Sequence, residues 1–162
     1  MDIRLGALKL YRQHLLSQYA DRCGLWSLKA ASGDSFSGVL CIMTDGMDQA
    51  KFQLPRSPGL VSAYRTSKLV RPRLAIHGCW AFNVCLRVGV LDETHPHDSS
   101  TVLELLLQTI EDAVRIFKER GQKVPDTLVL VGDNTVRELK NQYVLSMCSN
   151  LTAHTKFRQA GI

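Results

Sequence analysis

The sequence predicts a mixed α/β sheet flanked by helices, and three observations predict it. Two apolar runs, 39–44 and 127–131, are short and lack a polar face, as buried strands do. Residues 74–90 alternate in the manner of a β-hairpin. Between the hairpin and the second run, apolar residues recur at helical spacing over 102–120, the pattern of a crossover helix. The 162 residues suffice for one core, and 45% hydrophobic with 22% charged residues is globular composition rather than that of a disordered or fibrous chain.

The elements follow in order. Residues 2–23 read as an amphipathic helix, with Leu5, Leu8, Tyr11, Leu15 and Tyr19 three or four apart and Gly24 as its stop. A polar loop from Ala31 to Gly38 leads to the strand Val39–Thr44, which ends at Asp45-Gly46; residues 51–54 can pair back onto it. Residues 55–70, with Pro55, Pro58 and Gly59, read as a long loop. The hairpin strands turn at or beside Asn83. A cap at Ser99 or Ser100 opens the crossover helix, whose stripe is Leu103, Leu106, Leu107, Ile110, Val114 and Phe117, and Gly121 closes it. After the strand Thr127–Val131, Thr135 and Glu138 fit a capping box for a last helix. Its inward residues are Val136, Leu139, Tyr143, Met147, Leu151 and His154. The expected division is a helical segment over 1–30 and a sheet-containing domain over 31–162.

Charge is unevenly placed. Seven basic residues and no acid lie between Gln49 and Leu91, against +5 for the whole chain, so the remainder carries −2. Lys51, Arg56, Arg65, Lys68, Arg71 and Arg73 are therefore the candidate contacts for the phosphates of DNA or RNA; an ordinary solvated loop is the other reading of the same run. Phe52 and Tyr64 are candidates for stacking on bases. No apolar stretch is long enough to span a membrane, and the N-terminus lacks a signal-peptide core. Five cysteines without regular spacing point to reduced thiols inside a cell. Nucleus and cytoplasm both fit that expectation.

Two of the strands end in an aspartate, at Asp45 and at Asp133. If those strands are neighbours, their carboxylates meet as hard oxygen ligands suited to Mg²⁺ or Mn²⁺, the ions that flank a phosphodiester during in-line displacement. Asp45-Gly46 is equally a turn dipeptide, with Asp48 nearby, and Asp133 or Asn134 equally a helix cap. Cys79, Cys85, His95 and His97 match no common zinc spacing, His77 and His154 are isolated, and Cys41, Cys148 and Trp80 read as core. No phosphate-loop glycine motif and no nucleophile elbow is present.

The ribonuclease-H-like fold has this order of elements. The block Asp45-Gly-Met-Asp-Gln-Ala-Lys-Phe-Gln-Leu-Pro-Arg56 resembles a signature of a transposon-derived domain of the ribonuclease-H-like superfamily, found in eukaryotic genomes. A second signature of that family is similar to Asp133-Asn-Thr-Val-Arg-Glu-Leu-Lys-Asn141, with Leu139 where the family has asparagine. The resemblance implies metal-dependent cleavage or transfer of nucleic-acid strands, with Asp45 and Asp133 as the first two acids of an Asp-Asp-Asp/Glu site. It also implies a further block carrying histidines and a third acid, whereas this sequence stops at Ile162. The expectation is thus a fold short of its last strand and last helix, with Glu138 as stand-in for the third acid. Catalysis would be weak or lost in such a remnant, and the alternatives are nucleic-acid binding without catalysis or self-association through an uncovered sheet or helix face.

Overall fold

The computed structural model describes residues 2–34, 36–47, 74–92, 94, 98–132 and 141–162. Its elements are α1 (Asp2–Gly33), β1 (Val39–Met47), β2 (Ala75–Ala81), β3 (Cys85–Leu91), α2 (Ser99–Glu119), β4 (Thr127–Gly132), α3 (Gln142–His154) and β5 (Gln159–Gly161). The strands form one mixed sheet in the order β3-β2-β1-β4-β5, so the expected α/β class holds. β1 runs antiparallel to β2 and β2 to β3, whereas β4 lies parallel to β1 and β5 parallel to β4.

Local chemistry explains most of these elements. β2 and β3 meet through Asn83, whose φ of 61° is a left-handed conformation that asparagine tolerates better than most residues. α2 is stopped where expected: Gly121 has φ 65°, and the amides of Gly121 and Gln122 turn back to the carbonyls of Lys118 and Phe117. One face of the sheet carries Leu40, Ile42, Cys79, Ala81, Leu128 and Leu130. Onto it pack Val102, Leu106, Ile110, Ala113 and Phe117 of α2, and Val144, Met147 and Cys148 of α3. Gly89 permits the closest approach, because a Cβ there would stand 2.8 Å from a methyl of Leu105 on α2.

Several expectations are corrected. α1 does not stop at Gly24 but continues to Gly33, so the loop begins only at Asp34. A single helical glycine costs about 1 kcal/mol, and the last third of α1 recovers more by packing on the sheet. Ser32 is buried there, donating its hydroxyl to the Phe82 carbonyl (3.2 Å) and accepting from the Cys41 amide (3.1 Å). β1 runs on through Asp45 to Met47, pairing Asp45 with Gly78, so Asp45-Gly46 is strand and not turn. The cap of α2 is Asp98, whose carboxylate accepts from the amides of Ser100 and Thr101, rather than either serine. Cys41 and Cys148 are core residues as expected, but Trp80 is 41% exposed, on the face opposite the core.

The C-terminal part departs most. α3 ends at His154, and the chain then returns as β5, so the last strand is present rather than missing. The described helix begins at Gln142 with Asn141 as its cap, and its inward residues include Val144, Met147 and Cys148. Tyr143 and His154, expected inward, are exposed; Val136, Leu139 and the capping box of Thr135 and Glu138 lie outside the described residues. No helix among the described residues is long and apolar enough to cross a membrane.

Candidate functional site

Parallel pairing of β1 with β4 decides which residues share an end of the sheet. Val39 lies opposite Thr127 and the register runs without a bulge to Thr44 opposite Gly132. Both strands point their carboxyl ends the same way, the end at which open α/β sheets bind ligands. Asp45 is the next residue on β1, and its side chain is exposed. Asp133 follows Gly132 in sequence and, with Glu138, falls outside the described residues. So do Asp48, Lys51, Phe52, Arg56, Tyr64, Arg65, Lys68, Arg71, Arg73, His95 and His97, which leaves Asp45 as the one described member of the candidate site.

Successive strand residues face opposite sides, so Asp45 and Thr44 serve different surroundings. Thr44 points into the helix-covered core, where its hydroxyl meets Nε2 of the buried His77 at 2.6 Å and Sγ of Cys79 at 3.4 Å. His77 is isolated in the sequence, but in the fold it is part of a buried polar contact between β1 and β2. The alternation of β2 carries the signal that places it, since His77 shares a face with Cys79 and Ala81. This contact braces the backbone on which Asp45 stands, because an unpaired hydroxyl or imidazole here would be penalised by burial. Burial also pushes the Cys79 thiol above its ordinary pKa.

The face that carries Asp45 is partly covered by the last third of α1. Lys29 on α1 sets its ammonium 4.8 Å from the ring centre of Trp80 on β2. Leu28, Val129, Val131, Gly132, Leu145 and Ile162 line a groove of about 600 Å³ that reaches the carboxyl end of β4. Further out the face is bare: Leu86, Val88 and Val90 of β3 are all more than half exposed.

Arg87 is the described member of the basic run and does not serve as a free cation. It reaches α2, where Nη1 donates to Gln108 (2.8 Å) and Nε to Asp112 (3.1 Å), with a second, closer bond from Nη2 to Asp112. Arg115 donates to the other oxygen of Asp112 at 2.9 Å. These two guanidinium groups, Arg115 first and then Arg87, hold the Asp112 carboxyl below its ordinary pKa.

Among the described residues no group of three or more His, Cys, Asp or Glu side chains gathers as a metal cage. Among the described residues the fit of Mg²⁺ or Mn²⁺ therefore rests on the exposed carboxylate of Asp45 alone, a hard donor of the right kind.

Compared with family models, the chain matches the domain of unknown function DUF7869 over residues 76–162, just over half of its length. It belongs to that family. The DUF7869 match spans β2, β3, α2, β4, α3 and β5, and so takes in the strand that leads to Asp133 but leaves α1 and the Asp45 strand before it. No curated protein and no solved structure matches the chain.

Proposed function

We propose that the protein is a ribonuclease-H-like, transposase-derived domain that cleaves or transfers nucleic-acid strands with Mg²⁺ or Mn²⁺. The observation that carries this reading is the parallel β1–β4 pair at the centre of the sheet, with Thr44 level with Gly132. Asp45 is the next residue of β1 after Thr44, and Asp133 is the next residue in sequence after Gly132. The sheet order β3-β2-β1-β4-β5, three antiparallel strands followed by two parallel ones, supports the same fold reading. So does the fifth strand, Gln159–Gly161, which the sequence reading expects to be missing.

In this reading Asp45 and Asp133 hold the ion and Glu138 completes the set. The ion, when bound, supplies positive charge to the phosphodiester and to the hydroxyl that attacks it. The protein's own part is to keep the Asp45 backbone fixed, through six register pairs with β2 and the Thr44–His77 contact beneath. Lys51, Arg56, Arg65, Lys68, Arg71 and Arg73 contact phosphates along the strand being processed.

The test is nicking of supercoiled and single-stranded DNA and of RNA with Mg²⁺, Mn²⁺ or chelator, using wild type, Asp45→Asn and Asp133→Asn. Divalent-dependent cleavage lost in both variants is expected. Equal cleavage by wild type and variants, or none anywhere, removes the catalytic reading. The second reading, binding without catalysis, rests on the acid-free basic run. It expects binding that needs no divalent ion and weakens steeply with salt, and absence of binding at low salt disposes of it.

A further inference from the structure

The first two thirds of α1 stand apart from the sheet. Residues 4–22 are exposed at every position, a length of about 28 Å at 1.5 Å per residue. Eight large apolar side chains of α1 are nonetheless exposed: Leu5, Leu8, Leu10, Tyr11, Leu15, Leu16, Tyr19 and Trp26. At 3.6 residues per turn all of them except Leu10 fall on one side of the helix. That side faces away from the fold, since Leu28, which packs toward the sheet, lies across the helix axis from Trp26. An isolated helix gains too little from its own hydrogen bonds to hold such a length in water, and tertiary packing ordinarily supplies the rest.

The pattern within the stripe is a heptad seam. Positions 5, 8, 12, 15, 19, 22 and 26 alternate steps of three and four, and they read Leu, Leu, Arg, Leu, Tyr, Arg, Trp. Arg12 and Arg22 thus occupy seam positions, with Arg4 at the border. Asp21, the one acidic residue between positions 3 and 33, lies on the far side of the helix. A parallel copy in the same register would set arginine against arginine, and an antiparallel copy would leave both arginines without a carboxylate, since the seam holds none. An anionic membrane would have to take Arg12 into the middle of the apolar stripe, away from the headgroups that carry the negative charge.

We propose that α1 docks, over residues 5–26, a partner helix that is apolar along its seam and acidic where it meets Arg12 and Arg22. The seven apolar side chains each bring roughly 60–120 Å² at the usual conversion of buried area to free energy. Their sum, roughly 400–800 Å² on this side alone, reaches what a specific interface of modest size requires. The two arginines then fix register and choice of partner, as polar seam residues do in coiled coils.

The test uses the full chain and two synthetic helical peptides with leucine at every seam position except the two that face Arg12 and Arg22. One peptide carries glutamate there and the other lysine. Fluorescence anisotropy of the labelled peptides should show the glutamate peptide binding at least about tenfold more tightly. The double variant Arg12→Glu/Arg22→Glu, checked by circular dichroism to keep its helix content, should reverse that preference. Equal binding of the two peptides, no binding of either, or an unreversed preference in the double variant overturns the proposal. So does a concentration-dependent dimer in light scattering that Leu8→Glu/Leu15→Glu abolishes, or tight binding to vesicles of phosphatidylcholine with phosphatidylserine that the same substitutions remove.

Discussion

Ser32 ties two parts of the fold together with a single hydroxyl, and Ser32→Ala measures what that tie is worth. The oxygen donates to the Phe82 carbonyl and accepts from the Cys41 amide, and all three groups are almost wholly buried. Each bond has a net value of about 0.5–1.5 kcal/mol, and a buried polar group deprived of its partner costs about 1–3 kcal/mol. Losing both bonds at once without water to replace them comes to about 2–4 kcal/mol. The expected result in urea unfolding is a lower midpoint with an unchanged slope, because the surface exposed on unfolding is the same. Ser27→Ala is the control: that hydroxyl bonds the Cys23 carbonyl one turn back, on the exposed side of α1, and its loss should stay within about 0.5 kcal/mol. If Ser32→Ala is no more destabilising than Ser27→Ala, the claim that the end of α1 is anchored through this residue is wrong.

Two further expectations concern pH. The Asp112 carboxyl is held below its ordinary value of 3.8 by Arg115 and Arg87, so its contribution to stability is present above that value and lost as pH falls through the depressed one. Wild type should accordingly exceed Asp112→Asn in urea midpoint at neutral pH, with the gap closing in acid; a gap that persists at pH 2 contradicts the assignment. Burial pushes the Cys41 thiol from 9.0 up to about 11, so the unfolded chain ionises first as pH rises. Stability should then fall between about pH 9 and 11, and the fall should be shallower in Cys41→Ser; identical alkaline slopes for the two proteins would exclude burial of that thiol as a cause.

Local signals carried the parts of the fold that depend on local chemistry. The stripe of α2, the glycine that ends it, the turn at Asn83 and the apolar cores of β1 and β4 all followed from residue type and spacing. Elements held by distant partners are not legible in local sequence. α1 passes through Gly24 because its last third packs on the sheet, which no window around Gly24 reveals. β5 is Gln-Ala-Gly, without an apolar pattern, and is a strand because the edge of β4 offers it hydrogen bonds. In α3 the expected stripe holds at Met147 and Leu151, but capped by Asn141 the helix turns Val144 and Cys148 inward and Tyr143 out. At the candidate site Asp45 is visible in the sequence as the acid that follows an apolar run, but the Thr44–His77 contact beside it is not. His77 is thirty-three positions from Thr44, and only the antiparallel register brings the threonine hydroxyl and the imidazole together.

The parallel pair at the centre of the sheet also governs when the protein can fold. The hairpin of β2 and β3 closes over three residues and can form within microseconds. β1 and β4 meet only after Val39 has found Thr127, with the hairpin and all of α2 strung between them. During synthesis the apolar run from Val39 to Thr44 therefore leaves the ribosome long before the strand that covers its second edge. For that interval β1 presents one row of unsatisfied backbone groups, the condition in which nascent chains pair with one another. The parallel pairing of β1 with β4 thus makes the middle of this sheet late to be completed and the first place to need protection from neighbouring chains.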